Sequence, residues 1–473
     1  MTTATQKTIS TQNPATGERL ADYPVHGHSE VNAALDRAVA AFAVWRTRPP
    51  EERASALSAL AKELRARKAE LAALATREMG KTLAESEAEV EKCAVGCEYY
   101  ANFGAAHIAD AAVATSATES YVAFRPLGVL LAIMPWNFPY WQAFRALAPA
   151  LMAGNVVVLK HASNVTGCAL EIEGIVRAAG LPDGVFTTLV VAGSEMEAIV
   201  ADPRVAAVTL TGSEAAGSAV AATAGKHLKK TVLELGGSDA FIVLADADIA
   251  AAAKMAVKAR FQNNGQSCIA AKRFIVEDSV YEIFLEKFVT NARQLRTGDP
   301  LDRATTLGPL ARADLRDALE AQVAASVAQG ARIATGGKRV AGPGYYFEPT
   351  IVADVRRGMP MFDEETFGPA AALIRARDVA DCVALANDSD YGLGGNLWTS
   401  DVERAKELAA QLASGGVFIN GMTASDPRLP FGGVKKSGYG RELGAFGIHE
   451  FVNVQTVWIG PPHDEARNRT PAE

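Results

Sequence analysis

Cysteine is scarce in this chain: Cys93, Cys97, Cys168, Cys268 and Cys382 are the only five among 473 residues. The set is odd in number and holds neither a Cys-x-x-Cys pair nor a His-rich cluster. That excludes a disulfide framework or a zinc site, predicts no bound metal, and points to a reducing, cytoplasmic setting. A basic block is also missing. With 47 basic and 54 acidic residues the net charge is −7, so a nucleic-acid partner has no support and small molecules are expected instead. The opening twenty residues lack the apolar stretch of a secretory signal. One uncharged run, residues 127–144, is 18 residues long, but Pro135, Asn137, Pro139 and Gln142 interrupt it. Prolines remove backbone donors and amides are costly in lipid, so no membrane span is expected there. The run reads instead as a buried strand over 128–134, a Pro-rich turn and a helix.

Present in their place is the composition of a large-cored globular protein, 49% hydrophobic and 21% charged, long enough for two domains or more. The first hundred residues read as helices: Val31, Leu35, Ala38, Phe42 and Trp45 recur at helical steps after Ser29-Glu30, and Leu57, Leu60 and Leu64 follow Pro49-Pro50. A third helix covers 81–106, with Cys93 and Cys97 as buried neighbours on one face. From residue 155 strands at 156–160, 185–191, 205–211 and 231–235 alternate with helices, the pattern of a parallel, doubly wound sheet. A second α/β pattern runs from about residue 240 past 420, with strands at 274–276, 371–374 and 417–419 and helices at 280–295, 313–328 and 402–412. Two remaining strand-like pieces, 121–124 and 451–459, suit an extension that pairs with a neighbouring subunit.

Three places could carry chemistry. At 205–217 a strand ends at Gly212, a helix begins at Ser213, and Gly217 follows five positions on; helix amides there would attract a pyrophosphate, although a plain strand-to-helix turn explains the same residues. Cys268 ends the polar run Asn263-Asn264-Gly265-Gln266-Ser267, a setting for a reactive thiol, or merely for a free thiol in a loop. Glu234, between leucines at a strand end before Gly236-Gly237, and Glu365 are the candidate bases. Burial would raise the pKa of Glu234 toward neutrality; a salt-bridge role is the alternative.

Together Pro135-Trp136-Asn137-Phe138-Pro139, Lys160, Gly212-Ser213, Leu233-Glu234-Leu235-Gly236-Gly237, Gly265-Gln266-Ser267-Cys268, Glu365-Thr366-Phe367-Gly368-Pro369 and Pro430-Phe431-Gly432-Gly433 resemble the aldehyde dehydrogenase superfamily in order and separation, over nearly the whole chain. The resemblance implies an α/β fold with a dinucleotide-binding domain (1–112 and 127–235), a catalytic domain (236–440) and a small β oligomerisation extension (113–126 and 441–473), assembled as a homodimer or dimer of dimers. It implies Cys268 as nucleophile, Asn137 with the Cys268 amide as oxyanion donors, Glu234 as base for hydrolysis of a thioester, and Glu442 as a proton relay. For the cofactor it implies Trp136, Lys160, Ser163, Gly212, Ser213, Gly217, Leu235, Glu365 and Phe367. Ser163 stands where many NAD-preferring relatives carry Glu, which would repel a 2′-phosphate, so NADP is expected to be preferred with NAD tolerated.

The stretches around 133–145, 159–164, 263–268 and 418–422 are similar to the bacterial succinate-semialdehyde dehydrogenase branch. That implies succinic semialdehyde as substrate, with Arg145 holding its carboxylate and Trp141 in the pocket wall. A structural salt bridge is the other role open to Arg145. Gln262 stands where some relatives carry a second arginine, which leaves Ser425 and Arg428 as substitute anchors. Glutaric semialdehyde, sulfolactaldehyde or an apolar aldehyde remain alternatives, as do a phosphorylating or acyl-transferring reaction and a non-catalytic relative; the last would have lost Cys268, Glu234 or Asn137.

Overall fold

A computed structural model describes residues 7–460. Its first sheet is built where the βα alternation was expected. Five parallel strands lie in the spatial order Lys230–Glu234, Val205–Thr211, Val129–Met134, Val156–His161, Phe186–Leu189. The strand first in sequence is central, so the winding reverses beside it, and the crevice at its carboxyl end is where such sheets bind ligands. All six residues of Val129–Met134 are buried, as a parallel strand covered by helices on both faces requires. The helix that follows, Trp141–Ala153, is buried at every position, Arg145 included. This accounts for the long uncharged run: it is core, and among the described residues no helix is long and apolar enough to cross a membrane.

The second sheet has seven strands in the order Arg332–Thr335, Thr350–Ala353, Ala370–Ala376, Arg273–Glu277, Ala240–Val243, Gly394–Trp398, Gly416–Ile419, parallel except for the first pair. Separate apolar clusters cover its two faces. The sequence marked three of these strands, Ala370–Ala376, Arg273–Glu277 and Gly416–Ile419, and missed the other four. A third sheet pairs Val452–Ile459 antiparallel with Glu119–Pro126, with Ala111–Ala112 on the far edge, joining the two leftover pieces to each other.

Two expectations are corrected. The described residues begin with an antiparallel hairpin, Thr8–Gln12 with Arg19–Pro24, ahead of the first helix. Residues 438–449, expected in part in the β extension, return to the first sheet: Gly438–Tyr439 pairs antiparallel with Lys230–Glu234, and helix Gly444–His449 packs on Leu83–His107 and Trp141–Ala153. Leu443 and Ile448 complete the first core. Such short elements are specified by what they pack against, which local patterning does not record. Residues 461–473 of the expected extension lie outside the described residues.

Candidate active site

Helix Ile249–Phe261 delivers the chain to a tight loop in which Asn263, Asn264 and Gly265 are all left-handed, with φ of 53°, 57° and 73°. Asparagine tolerates this region better than other side chains. At Gly265 a Cβ would lie 2.2 Å from the Gly368 carbonyl oxygen, so glycine is required for space as well as conformation. The amides hold the loop: Asn264 Nδ2 donates to the Gly80 and Pro309 carbonyls, each at 2.9 Å, and Ala311 N donates to Gln266 Oε1 at 2.9 Å. Cys268 follows, partly exposed to a cavity, whereas the other four cysteines are buried. Burial pushes the Cys268 thiol up to about 12, opposed by the positive charges of Arg145 and Lys272. The resting side chain is therefore a neutral thiol that needs a base.

Asn137 lies in the turn between strand Val129–Met134 and helix Trp141–Ala153 and is 4% exposed. Its Nδ2 donates one hydrogen to the Gln266 carbonyl at 3.1 Å, and its own carbonyl accepts from Asn263 Nδ2 at 2.8 Å. The second amide hydrogen is left over beside the cysteine loop. Both oxygens of Glu234, at the carboxyl end of its strand, are buried without a hydrogen-bond partner. Burial first, then the Glu442 carboxylate, raise its pKa well above the ordinary value; Arg145 and Arg441 act against this. Glu442 is also raised by burial and lowered by Arg145, with which it forms an ion pair. Arg145 further donates Nη2 to Thr211 Oγ1 at 3.2 Å and stands over the Phe431 ring, 4.7 Å from its centre.

At the crevice of the first sheet, Ser213 caps helix Glu214–Lys226 by accepting from Ala216 N at 3.3 Å. A Cβ on Gly212 would touch only Leu210, at 3.5 Å, so the approach to this helix end is open. Gly217 is different: its Cβ would come 2.5 Å from Leu235 Cδ2, so the glycine serves close packing of helix on strand, and the expectation that it admits a pyrophosphate is corrected. Leu235 is the other half of that contact, with its N–H donating to the Ser437 carbonyl at 3.0 Å. Lys160 is the last residue but one of strand Val156–His161, its pKa lowered by burial with no carboxylate acting on it, and Ser163, exposed, opens the following turn. Across the crevice Glu365 Oε1 accepts from Gly237 N at 2.9 Å, and Phe367 meets Trp136 edge to face at 5.8 Å. A largely buried lysine with no carboxylate acting on it, an open helix N-terminus and an aromatic pair fit a phosphorylated dinucleotide.

The cavity at Cys268 measures about 530 Å³, the size of a small-molecule site. Trp141, Gln262, Ser425 and Arg145 line it. Two anchors are revised. The charge of Arg145 is already met by Glu442, which is the salt-bridge alternative. Arg428 points away: its side chain is 74% exposed and binds Asp426 through Nε at 2.8 Å and Nη2 at 2.6 Å.

Sequence reasoning missed Lys92 and Lys272. Lys92 lines the cavity and gave no signal: it is the single lysine or arginine in a helix with five glutamates, where an ordinary ion pair along the helix is the plain reading. Lys272, fully buried, donates to the Ser267 and Cys268 carbonyls at 2.9 and 2.7 Å and stands 3.5 Å from Glu365. It did leave a signal: two successive cations, Lys272-Arg273, at the start of an apolar strand must have buried partners.

A recessed cysteine near an unpartnered buried carboxylate, joined to a dinucleotide-type sheet, defines an oxidoreductase that works through a covalent bond to its substrate. The aldehyde dehydrogenase family profile matches residues 1–457. Succinate-semialdehyde dehydrogenase [NADP(+)] 1 of Mycobacterium tuberculosis is 51% identical over 454 residues, 95% of this chain and 99% of its own. The succinic semialdehyde dehydrogenase of Streptococcus pyogenes, solved with NADP+, is 38% identical with a TM-score of 0.94 over 96% of this chain and 100% of its own. Gox0499 superposes with the same TM-score at 42% identity, covering 96% of this chain and all of its own. The chain belongs to the aldehyde dehydrogenase family.

Proposed function

We propose that the protein oxidises succinic semialdehyde to succinate with NADP as preferred hydride acceptor and NAD tolerated. The observation that carries this reading is the cavity itself: about 530 Å³, walled by Trp141 and Phe138, with Cys268 on its wall and cationic side chains facing a small substrate. Its relatives at about half identity carry that activity in their names.

In this reading Glu234 takes the thiol proton of Cys268 as sulfur bonds to the aldehyde carbon. Asn137 Nδ2 and the Cys268 amide receive the negative oxygen, a donor worth about 2.7–4 kcal/mol in comparable sites. The bound dinucleotide supplies the acceptor for the hydride lost from that carbon, leaving a thioester on Cys268. Once that first proton has passed on to Glu442, Glu234 removes a proton from water, whose oxygen bonds to the thioester carbon; the carbon–sulfur bond breaks, the sulfur takes back a proton and the acid leaves. Glu442, buried against Glu234 and held by Arg145, is placed to exchange the proton onward. Lys160 and Ser163 hold the 2′-phosphate, Gly212 and Ser213 the pyrophosphate, and Trp136, Glu365 and Phe367 the nicotinamide end, with Gly217 and Leu235 setting the helix that does so.

The wider organisation follows the same reading: a dinucleotide domain on the first sheet, a catalytic domain on the second, and an arm of Glu119–Pro126 with Val452–Ile459. Val454 and Trp458 are 60% and 54% exposed on that edge strand, a surface suited to a second copy in a homodimer or dimer of dimers. Five unpaired cysteines fit work in the cytoplasm. The test is NADPH formation from succinic semialdehyde and from butanal, which has the same chain length without the carboxylate. At least tenfold higher kcat/KM for the former supports the reading; equal values sink it.

A further inference from the structure

Helix Leu83–His107 turns one face to the cavity, since Glu85, Ala88, Glu89 and Lys92 at steps of three, one and three all line it. The two carboxylates on this face are committed. Glu85 accepts from Asn263 N at 2.6 Å and Thr82 Oγ1 at 2.9 Å. Glu89 holds Lys81 with one oxygen and the Tyr140 and Trp141 amides, both at 2.8 Å, with the other. Lys92 differs in having only neutral partners: Nζ donates to Ser425 Oγ at 2.6 Å and stands 4.6 Å from the centre of the Trp141 ring. The nearby Asp426 is taken by Arg428.

We propose that Lys92 is the anchor for the substrate's carboxylate, with Ser425 as its second donor; this rests on the anionic-tail reading above. A cation held in a cavity by a hydroxyl and an indole face lacks a counter-charge, and a carboxylate brought in by the substrate supplies one. Consistently, burial first and Arg145 second bring the Lys92 pKa down to about 8, and the negative charge of a bound carboxylate acts in the opposite direction. Ser425 Oγ accepts from Lys92, so its own hydrogen is free for the second carboxylate oxygen. Arg145 faces the same cavity but already has Glu442, and Gln262 is neutral. Lys254 and Lys258, exposed at the cavity wall, add a positive field for an arriving anion.

The test compares kcat/KM for succinic semialdehyde and butanal in the wild type, Lys92→Met and Lys92→Arg. Lys92→Met is expected to lower the ratio of the two at least tenfold through the KM of the acid aldehyde, and Lys92→Arg to restore most of it. Lys92→Gln, which keeps a donor for Ser425, provides the same reading if the Met variant does not fold. A ratio within twofold of wild type, or equal losses on both aldehydes, overturns the anchor while wild-type preference preserves the substrate reading. A wild type without preference overturns both.

Discussion

Arg145, on the wall of the cavity that holds Cys268, forms an ion pair with Glu442 inside the protein, their side chains 2% and 4% exposed. One guanidinium thereby steadies the charge of two carboxylates and a thiol, because Arg145 opposes the raised pKa values of Glu234, Glu442 and Cys268 alike. Breaking such a pair from one side strands a buried charge and costs about 3–5 kcal/mol. Arg145→Met should therefore lower thermal stability by that order and reduce kcat on butanal as well as on succinic semialdehyde. A change confined to KM for the acid aldehyde would return Arg145 to a role as substrate anchor.

Glu234→Gln should slow both the first NADPH-forming turnover and the steady-state rate, the latter by about 10²–10⁴-fold, since thiol deprotonation and water activation have both lost their base. A rapid-mixing experiment reads both phases. The pH dependence has a definite sign: the base form of Glu234 appears only above its raised pKa, so the wild-type rate climbs with pH through a limb displaced upward from ordinary carboxylates. In Glu234→Gln that limb should be absent.

The same shift makes a stability prediction. Folded Glu234 binds its proton more tightly than the unfolded chain does, so its contribution is present below the unfolded value near 4.5 and is lost as pH rises toward the raised folded value. Glu234→Gln should accordingly gain melting temperature relative to wild type as pH increases from 4 to 8. A gain that shrinks over that range would contradict the burial argument.

Ser163→Glu would bring a carboxylate to the turn after Lys160. It should reduce kcat/KM with NADP at least tenfold and leave NAD as the better acceptor, read from initial rates with each dinucleotide. An unaltered ratio would detach Ser163 from the 2′-phosphate.

Lys272→Met removes the donor shared by two carbonyls of the nucleophile loop. Leaving buried acceptors unpaired costs about 1–3 kcal/mol. Because the loop carries Cys268, the rate of Cys268 alkylation should change together with kcat. Stability loss with unaltered alkylation would confine Lys272 to a structural part.

Much of this was legible in the chain. The strand at 205–211 and the helix at 313–328 appear where periodicity placed them, because long apolar alternation records burial directly. Glu234 and Cys268 stood out through local context, a carboxylate between leucines and a thiol after a polar run. Gly217 misled, since a glycine reads the same whether it admits a phosphate or a neighbouring leucine. Lys92 was silent: its meaning depends on Ser425, 333 residues away.

The sequence by itself determined the family and the strand–helix alternation behind the two sheets, and singled out Cys268 and Glu234 as candidates, because hydrophobic period and motif chemistry are local properties. Only the tertiary structure decided which charges cancel. It joined Arg145 to Glu442 and Glu89 to Lys81 and left Lys92 with neutral company, and a buried charge is defined by what folding brings against it.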